Sequence, residues 1–135
     1  MSRAAEKGNK RIVELLLENG AQPDLRDEDG QTPLLRALEK GNERIMGLLL
    51  ETGAQPDLRD EDGQTLLLRA AKKGNERIVG LLLEHGAHPN LEDKNGQTPL
   101  SGAIEGQSPA AVHFLLTRGV KTDYNYISVC RSHCF

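Results

Sequence analysis

Cysteine is almost missing from this chain of 135 residues: there are two, Cys130 and Cys134, both near the C-terminus. A pair so sparse and one-sided is no disulfide framework for a whole fold. Long apolar runs are missing too; none approaches membrane-spanning length, and the N-terminus lacks the apolar core of a signal peptide. There is no basic excess, since the net charge is −3, and a nucleic-acid-binding surface normally carries a surplus of Lys and Arg. Nor is there a phosphate-binding Gly-Lys-Ser/Thr loop, a His-Glu-x-x-His helix or a nucleophile elbow. The expectation is a soluble intracellular protein, cytoplasmic or nuclear and monomeric, with no membrane, nucleic-acid or cofactor partner.

Repetition is what the chain has in abundance. LRDEDGQT occurs at Leu25–Thr32 and again at Leu58–Thr65. Its D-x-D-G core suggests a calcium loop, but the spacing refuses it. With Gly30 at loop position 6, the obligatory ligands at positions 1 and 12 fall on Leu25 and Arg36. The second copy fails identically, at Leu58 and Arg69.

The interval between copies is more informative. Gly-Asn recurs at Gly8, Gly41 and Gly74, in steps of 33 residues. Gly-Ala recurs at Gly20, Gly53 and Gly86, and Gln-Thr at Gln31, Gln64 and Gln97. Residues 8–40 differ from 41–73 at seven positions: Lys10/Glu43, Val13/Met46, Glu14/Gly47, Asn19/Thr52, Pro33/Leu66, Leu38/Ala71 and Glu39/Lys72. Such a period marks a solenoid, in which each unit buries its apolar face on its neighbours.

Within one unit the local chemistry is explicit. Asp27-Glu28-Asp29-Gly30 is a turn signal. Thr32 then Pro33 is an N-cap followed by the first helical position, which tolerates proline. Leu34, Leu35, Ala37 and Leu38 form the apolar face of a short helix that Gly41 ends. Asn42 caps a second helix, where Ile45, Leu48 and Leu49 share one face, and Gly53 closes it. Ala54-Gln55-Pro56-Asp57 leads out extended. The spacing predicts turn, helix, helix, return.

This order resembles the ankyrin repeat. The matching residues are Gly30-Gln31-Thr32-Pro33-Leu34 with Ala37, and Gly96-Gln97-Thr98-Pro99-Leu100 with Ala103; Gly63-Gln64-Thr65-Leu66-Leu67 with Ala70 has lost the proline. The resemblance implies an all-α solenoid of stacked helix-turn-helix units joined by β-turn or hairpin loops. Its expected divisions are a partial unit at 1–26, units at 27–59, 60–92 and 93–123, and a divergent tail at 124–135. The family's histidine after Thr-Pro-Leu is Leu35, Leu68 and Ser101 here. That departure implies that its bridging hydrogen bond is absent and leaves open how rigidly successive loops are tied together. Gly106 comes one position early relative to Gly41 and Gly74, from which the last unit is expected to be one residue short between Ala103 and Gly106, with Ser108-Pro109 supplying a cap for its second helix.

Tyr124, Tyr126, Phe135 and both cysteines lie in the tail. It packs back near Phe114, or the chain is a fragment of a longer array, or the tail is an artefact of gene structure; the first reading is preferred. Cys130, His133 and Cys134 with His113 are conceivable zinc ligands, but a solvated tail with free thiols is the preferred reading, because closed zinc sites take two separated ligand pairs. His85 and His88 read as ordinary histidines at a helix end. Asn90, where some members of the family are hydroxylated, follows Pro89 and aligns with Asp24 and Asp57.

Carboxylates recur at equivalent places in every unit, whereas catalysis needs dissimilar groups converging on one cleft. The reading is therefore not an enzyme but a non-catalytic module or scaffold that binds a partner protein. The resemblance places contacts on the turn tips and the concave helix face. The tip candidates are Arg26, Glu28, Asp29 and Gln31; Arg59, Glu61, Asp62 and Gln64; Glu92, Lys94, Asn95 and Gln97. The helix-end candidates are Glu39, Lys40, Lys72, Lys73 and Glu105. The bland alternative is a set of solvated charges. Repeated acidic tips favour a basic or extended partner segment and salt-sensitive binding. The competing reading is an engineered or consensus-like scaffold with no native partner, or a fragment of a larger multidomain protein.

Overall fold

Each threonine and asparagine that the repeat places before an apolar run caps a helix. In the computed structural model, which describes residues 1–118, eight helices follow one another: α1 (Ser2–Lys7), α2 (Lys10–Glu18), α3 (Pro33–Lys40), α4 (Glu43–Glu51), α5 (Leu66–Lys73), α6 (Glu76–Glu84), α7 (Pro99–Glu105) and α8 (Pro109–Thr117). Thr32, Thr65 and Thr98 accept from the amides of Leu35, Leu68 and Ser101 at the starts of α3, α5 and α7. Asn9, Asn42 and Asn75 cap α2, α4 and α6, and Ser108 caps α8. Each such cap satisfies an amide left bare by the helix start and is worth about 1 kcal/mol.

The first helices α1, α3, α5 and α7 stack in one row, and the second helices α2, α4, α6 and α8 in another. Between the rows runs a continuous core with no single centre. Leu34, Leu67 and Leu100 point into it, as do Ile45, Ile78, Leu49 and Leu82, all of them buried. Ala37, Ala70 and Ala103 are fully buried, which fits the small residue each unit keeps where its paired helices approach.

The departures from the family pattern have structural answers. Leu35 and Leu68 are buried, so apolar packing occupies the position of the missing histidine. Ser101 instead closes a reciprocal capping box with Thr98: its hydroxyl accepts from the Thr98 amide at 2.9 Å. The last unit is not one residue short, which corrects that reading: Ser108 stands 33 residues after Asn75, Gln107 occupies the place of Gly74 and carries its positive φ, at 53°, and Gly106 takes a right-handed conformation. Helix α7 also lies tight against α5. A Cβ on Gly106 would come within 2.5 Å of the Lys72 carbonyl oxygen.

Candidate functional site

Between the helix pairs the chain forms fingers built on one aspartate each. In the first finger Asp27 Oδ1 accepts from the amides of Asp29 and Gln31, at 2.9 and 3.0 Å. Asp60 does the same for Asp62 and Gln64, and Asp93 for Asn95 and Gln97. The stems are closed by Asp27 N to Gln31 O and its two equivalents, with one isolated antiparallel bridge between Arg59 and Thr65. Gly30 sits at φ 75°, and a Cβ there would also lie 2.9 Å from Glu61 Oε1, so the neighbouring finger leans over it.

Hydrogen bonds tie the fingers to one another without the histidine, which answers the question its absence left open. Arg26 Nη1 donates to the Gly30 carbonyl at 2.8 Å, and its Nη2 donates to the Arg59 carbonyl of the next finger at 2.9 Å. Arg59 repeats the pattern on Gly63 O and Glu92 O. Lys94 Nζ reaches back to Glu61 O at 3.0 Å. A second ladder runs beside the first: Asp24 accepts from the Gln55 amide, and Asp57 from the His88 amide. The arginine fork takes over a linking role that the family gives to histidine, because guanidinium offers several donors in one plane.

Below the fingers, charges pair along the first helices. Arg36 bonds Asp27 and Asp29 at 3.0 and 2.9 Å. Arg69 bonds Asp60 at 2.8 Å and crosses to Glu39 of the preceding unit at 3.2 Å. In the third unit the same position is Gly102, and Asp93 Oδ2 is buried with no hydrogen-bond partner among the described residues. Burial acts to raise the Asp93 pKa, but the Gln97 and Asn95 amides, the Gln64 side chain and the Lys72 charge outweigh it and hold it below the ordinary range. Both members of the Glu39–Arg69 pair have thus changed together. Lys72 replaces the glutamate where Gly102 replaces the arginine, and a cation stands near the carboxylate that lost one.

The residues singled out from the sequence divide accordingly. Glu28, Glu61 and Asp62 are exposed at the tips with no ion pair among the described residues. Asp29 is exposed but held by Arg36. Glu92, Asn95, Lys40 and Lys73 are exposed. Arg26, Arg59 and Lys94 are exposed yet engaged with carbonyls. Gln31, Gln64 and Gln97 are half-buried at the finger bases, and Gln97 Nε2 donates to Glu105 at 3.0 Å. Glu39 is engaged with Arg69, and Lys72 is half-buried.

Asp24, Asp57, Asp27, Asp60 and Asp93 were not anticipated as organisers of the loops. The aspartate standing three residues before each turn glycine was the available signal for the last three. His113 is exposed on α8 and His85 follows the end of α6. The zinc and tail-packing readings fall on Cys130, His133, Cys134 and residues 124–135, which lie outside the described residues. No helix among the described residues is long and apolar enough to cross a membrane. A family model for ankyrin repeats matches the chain in three copies, over residues 1–93 and 48–126. No curated protein matches it.

Proposed function

The chain belongs to the ankyrin repeat family, whose members generally serve as protein-interaction modules, and from that premise we propose that it is a non-catalytic module binding a basic, extended segment of another protein across its first two finger tips. One observation carries the reading. Arg26 and Arg59 turn their charge onto backbone carbonyls, and Arg36 and Arg69 neutralise Asp27 and Asp60. Glu28, Glu61 and Asp62 are left as the outward charge, on fingers whose spacing the ladders hold fixed. A row of carboxylates on a rigid base attracts a basic segment at long range and selects against acidic ones.

The third finger differs, because Lys94 stands where the others carry Glu28 and Glu61. The acidic strip therefore has a direction, running from the first finger and ending at the third. The concave wall, with Lys40, Lys73 and Glu105 exposed along it, adds a second line of contact for a segment bound beneath the tips. The setting we assign is the cytoplasm or nucleus, with no nucleic acid, membrane or cofactor involved.

The test is capture from cell extract at low and high ionic strength. The bait is the whole chain, beside a variant with Glu28→Lys, Asp29→Lys, Glu61→Lys and Asp62→Lys, both checked for helicity by circular dichroism. A protein held by the parent, released by salt and lost by the folded variant supports the proposal. Retention that ignores salt overturns its electrostatic part, and retention by both chains moves the site to the concave wall. If neither chain retains anything, the near-identity of residues 8–40 and 41–73 favours a consensus-like scaffold without a native partner.

A further inference from the structure

Asp27 and Asp60 each give one carboxylate oxygen to the turn and the other to an arginine. Their Oδ1 atoms accept from turn amides, while Oδ2 bonds Arg36 at 3.0 Å in one finger and Arg69 at 2.8 Å in the next. Asp93 keeps the first half of this arrangement, its Oδ1 taking the Asn95 and Gln97 amides. The second half is gone, because Gly102 stands in the register of both arginines. Asp93 is 8% exposed, and its Oδ2 has no hydrogen-bond partner among the described residues. Leaving a buried acceptor unbonded is unfavourable, and a donor aimed at it relieves that cost.

The position such a donor takes is on the concave wall, not in the closed core. The Arg36 and Arg69 side chains are 19% and 26% exposed in place, so they stand partly open to solvent at the base of their fingers. The third unit cannot refill the position from its own helix. A Cβ on Gly102 would meet Leu68 Cδ1 at 2.7 Å and Lys72 Cγ at 3.1 Å. The Gln64 side chain and the Lys72 charge approach the Asp93 carboxylate, yet neither bonds Oδ2. Positive charge is therefore already at hand. What Oδ2 lacks is a donor directed at it.

We propose that Asp93 Oδ2 receives an arginine side chain from the bound protein segment, which takes at the third finger the place that Arg36 and Arg69 hold at the first two. The proposal rests on the reading that a basic segment binds this chain, and it fixes where one arginine of that segment sits: beneath the tips, one unit past the acidic strip. Guanidinium suits the site better than ammonium, because its donors lie in one plane and are aimed, whereas an ammonium acts as a point charge that Lys72 already supplies. Lys72 is the side chain that yields on entry, being long, half-buried and packed by its stem over Gly102.

Ethylguanidinium chloride, the arginine head without a peptide, tests the site on the full chain through amide chemical shifts in heteronuclear NMR. Ethylammonium chloride and sodium chloride at matched ionic strength run beside it. The Asn95 and Gln97 amides are expected to shift and saturate with ethylguanidinium and to respond less to the other two salts. The Asp62 and Gln64 amides stay in place, because Arg69 already serves Asp60. Asp93→Asn, which keeps an oxygen for the two turn amides, abolishes the response. Arg69→Gly, checked by circular dichroism, confers it on Asp62 and Gln64. The proposal is overturned by an absent or non-saturating shift at Asn95 and Gln97, by an equal shift with ethylammonium, by a response that survives Asp93→Asn, or by no gain in Arg69→Gly. The tip variant used for capture leaves Asp93 intact, so its result bears on the tips alone and this one on the Asp93 site alone.

Discussion

A Cβ placed on Gly102 would lie 2.7 Å from Leu68 Cδ1, closer than carbon atoms approach without something moving. Leu68 is fully buried and Lys72 Cγ lies 3.1 Å from the same point, so relief is not free on either side. Gly102→Ala should therefore destabilise the protein by about 1–3 kcal/mol of overpacking, less the roughly 1 kcal/mol that alanine gains over glycine in a helix. Gly47→Ala in α4 is the control, since nothing lies within 4 Å of its Cβ position. It should stabilise by about 0.5–1 kcal/mol. Urea unfolding midpoints of the two variants should move in opposite directions.

The finger ladder predicts a local effect with a small global one. Arg59→Ala removes donors to Gly63 O, at a part-buried site, and to Glu92 O, at an exposed one. The expected loss in stability is about 1 kcal/mol. Amide hydrogen exchange should accelerate in the turns at 60–64 and 93–97 well before it changes in α4 or α6. Glu92→Ala is the complementary check. Only the Glu92 backbone carbonyl is used, so exchange in the turns should stay as in the parent.

Acid should loosen the fingers. The Gln31 amide and Arg36 hold the Asp27 carboxyl below its ordinary pKa, against the effect of burial. Asp93 is lowered as well, its Gln97 and Asn95 amides prevailing over a larger burial penalty. A carboxylate whose pKa is lower folded than unfolded contributes stability above the unfolded value, and that contribution is lost as pH falls through the folded value. The unfolding midpoint should accordingly be flat near neutrality and drop below the ordinary carboxylate range. Asp27→Asn should lower the neutral plateau and flatten the acid slope. An unchanged slope would mean that other carboxylates carry the acid response.

What could be read from the sequence was local or periodic. Thr32, Asn42 and Ser108 act on amides three residues away, so their caps were visible in a single line of text. The ladder was not visible, because Arg26 bonds a backbone carbonyl at Arg59, and any residue type would supply that carbonyl. For the same reason the tip candidates were over-inclusive. Arg26, Arg59 and Lys94 look like free cations beside Glu28 and Glu61 until their neighbours are placed. The joint loss of Glu39 and Arg69 equivalents at Lys72 and Gly102 lay in the alignment of units. Its meaning needed the buried Asp93 oxygen between them.

The ladder also sets what kind of length change this chain tolerates. Arg26 and Arg59 each find their outer acceptor 33 residues on. Inserting or excising one entire repeat within the ladder returns every guanidinium to a carbonyl of the same kind. A single-residue slip between Arg59 and Glu92 would strand it. A change of length by a whole unit is thus mechanically neutral within the ladder, whereas a one-residue insertion or deletion is not.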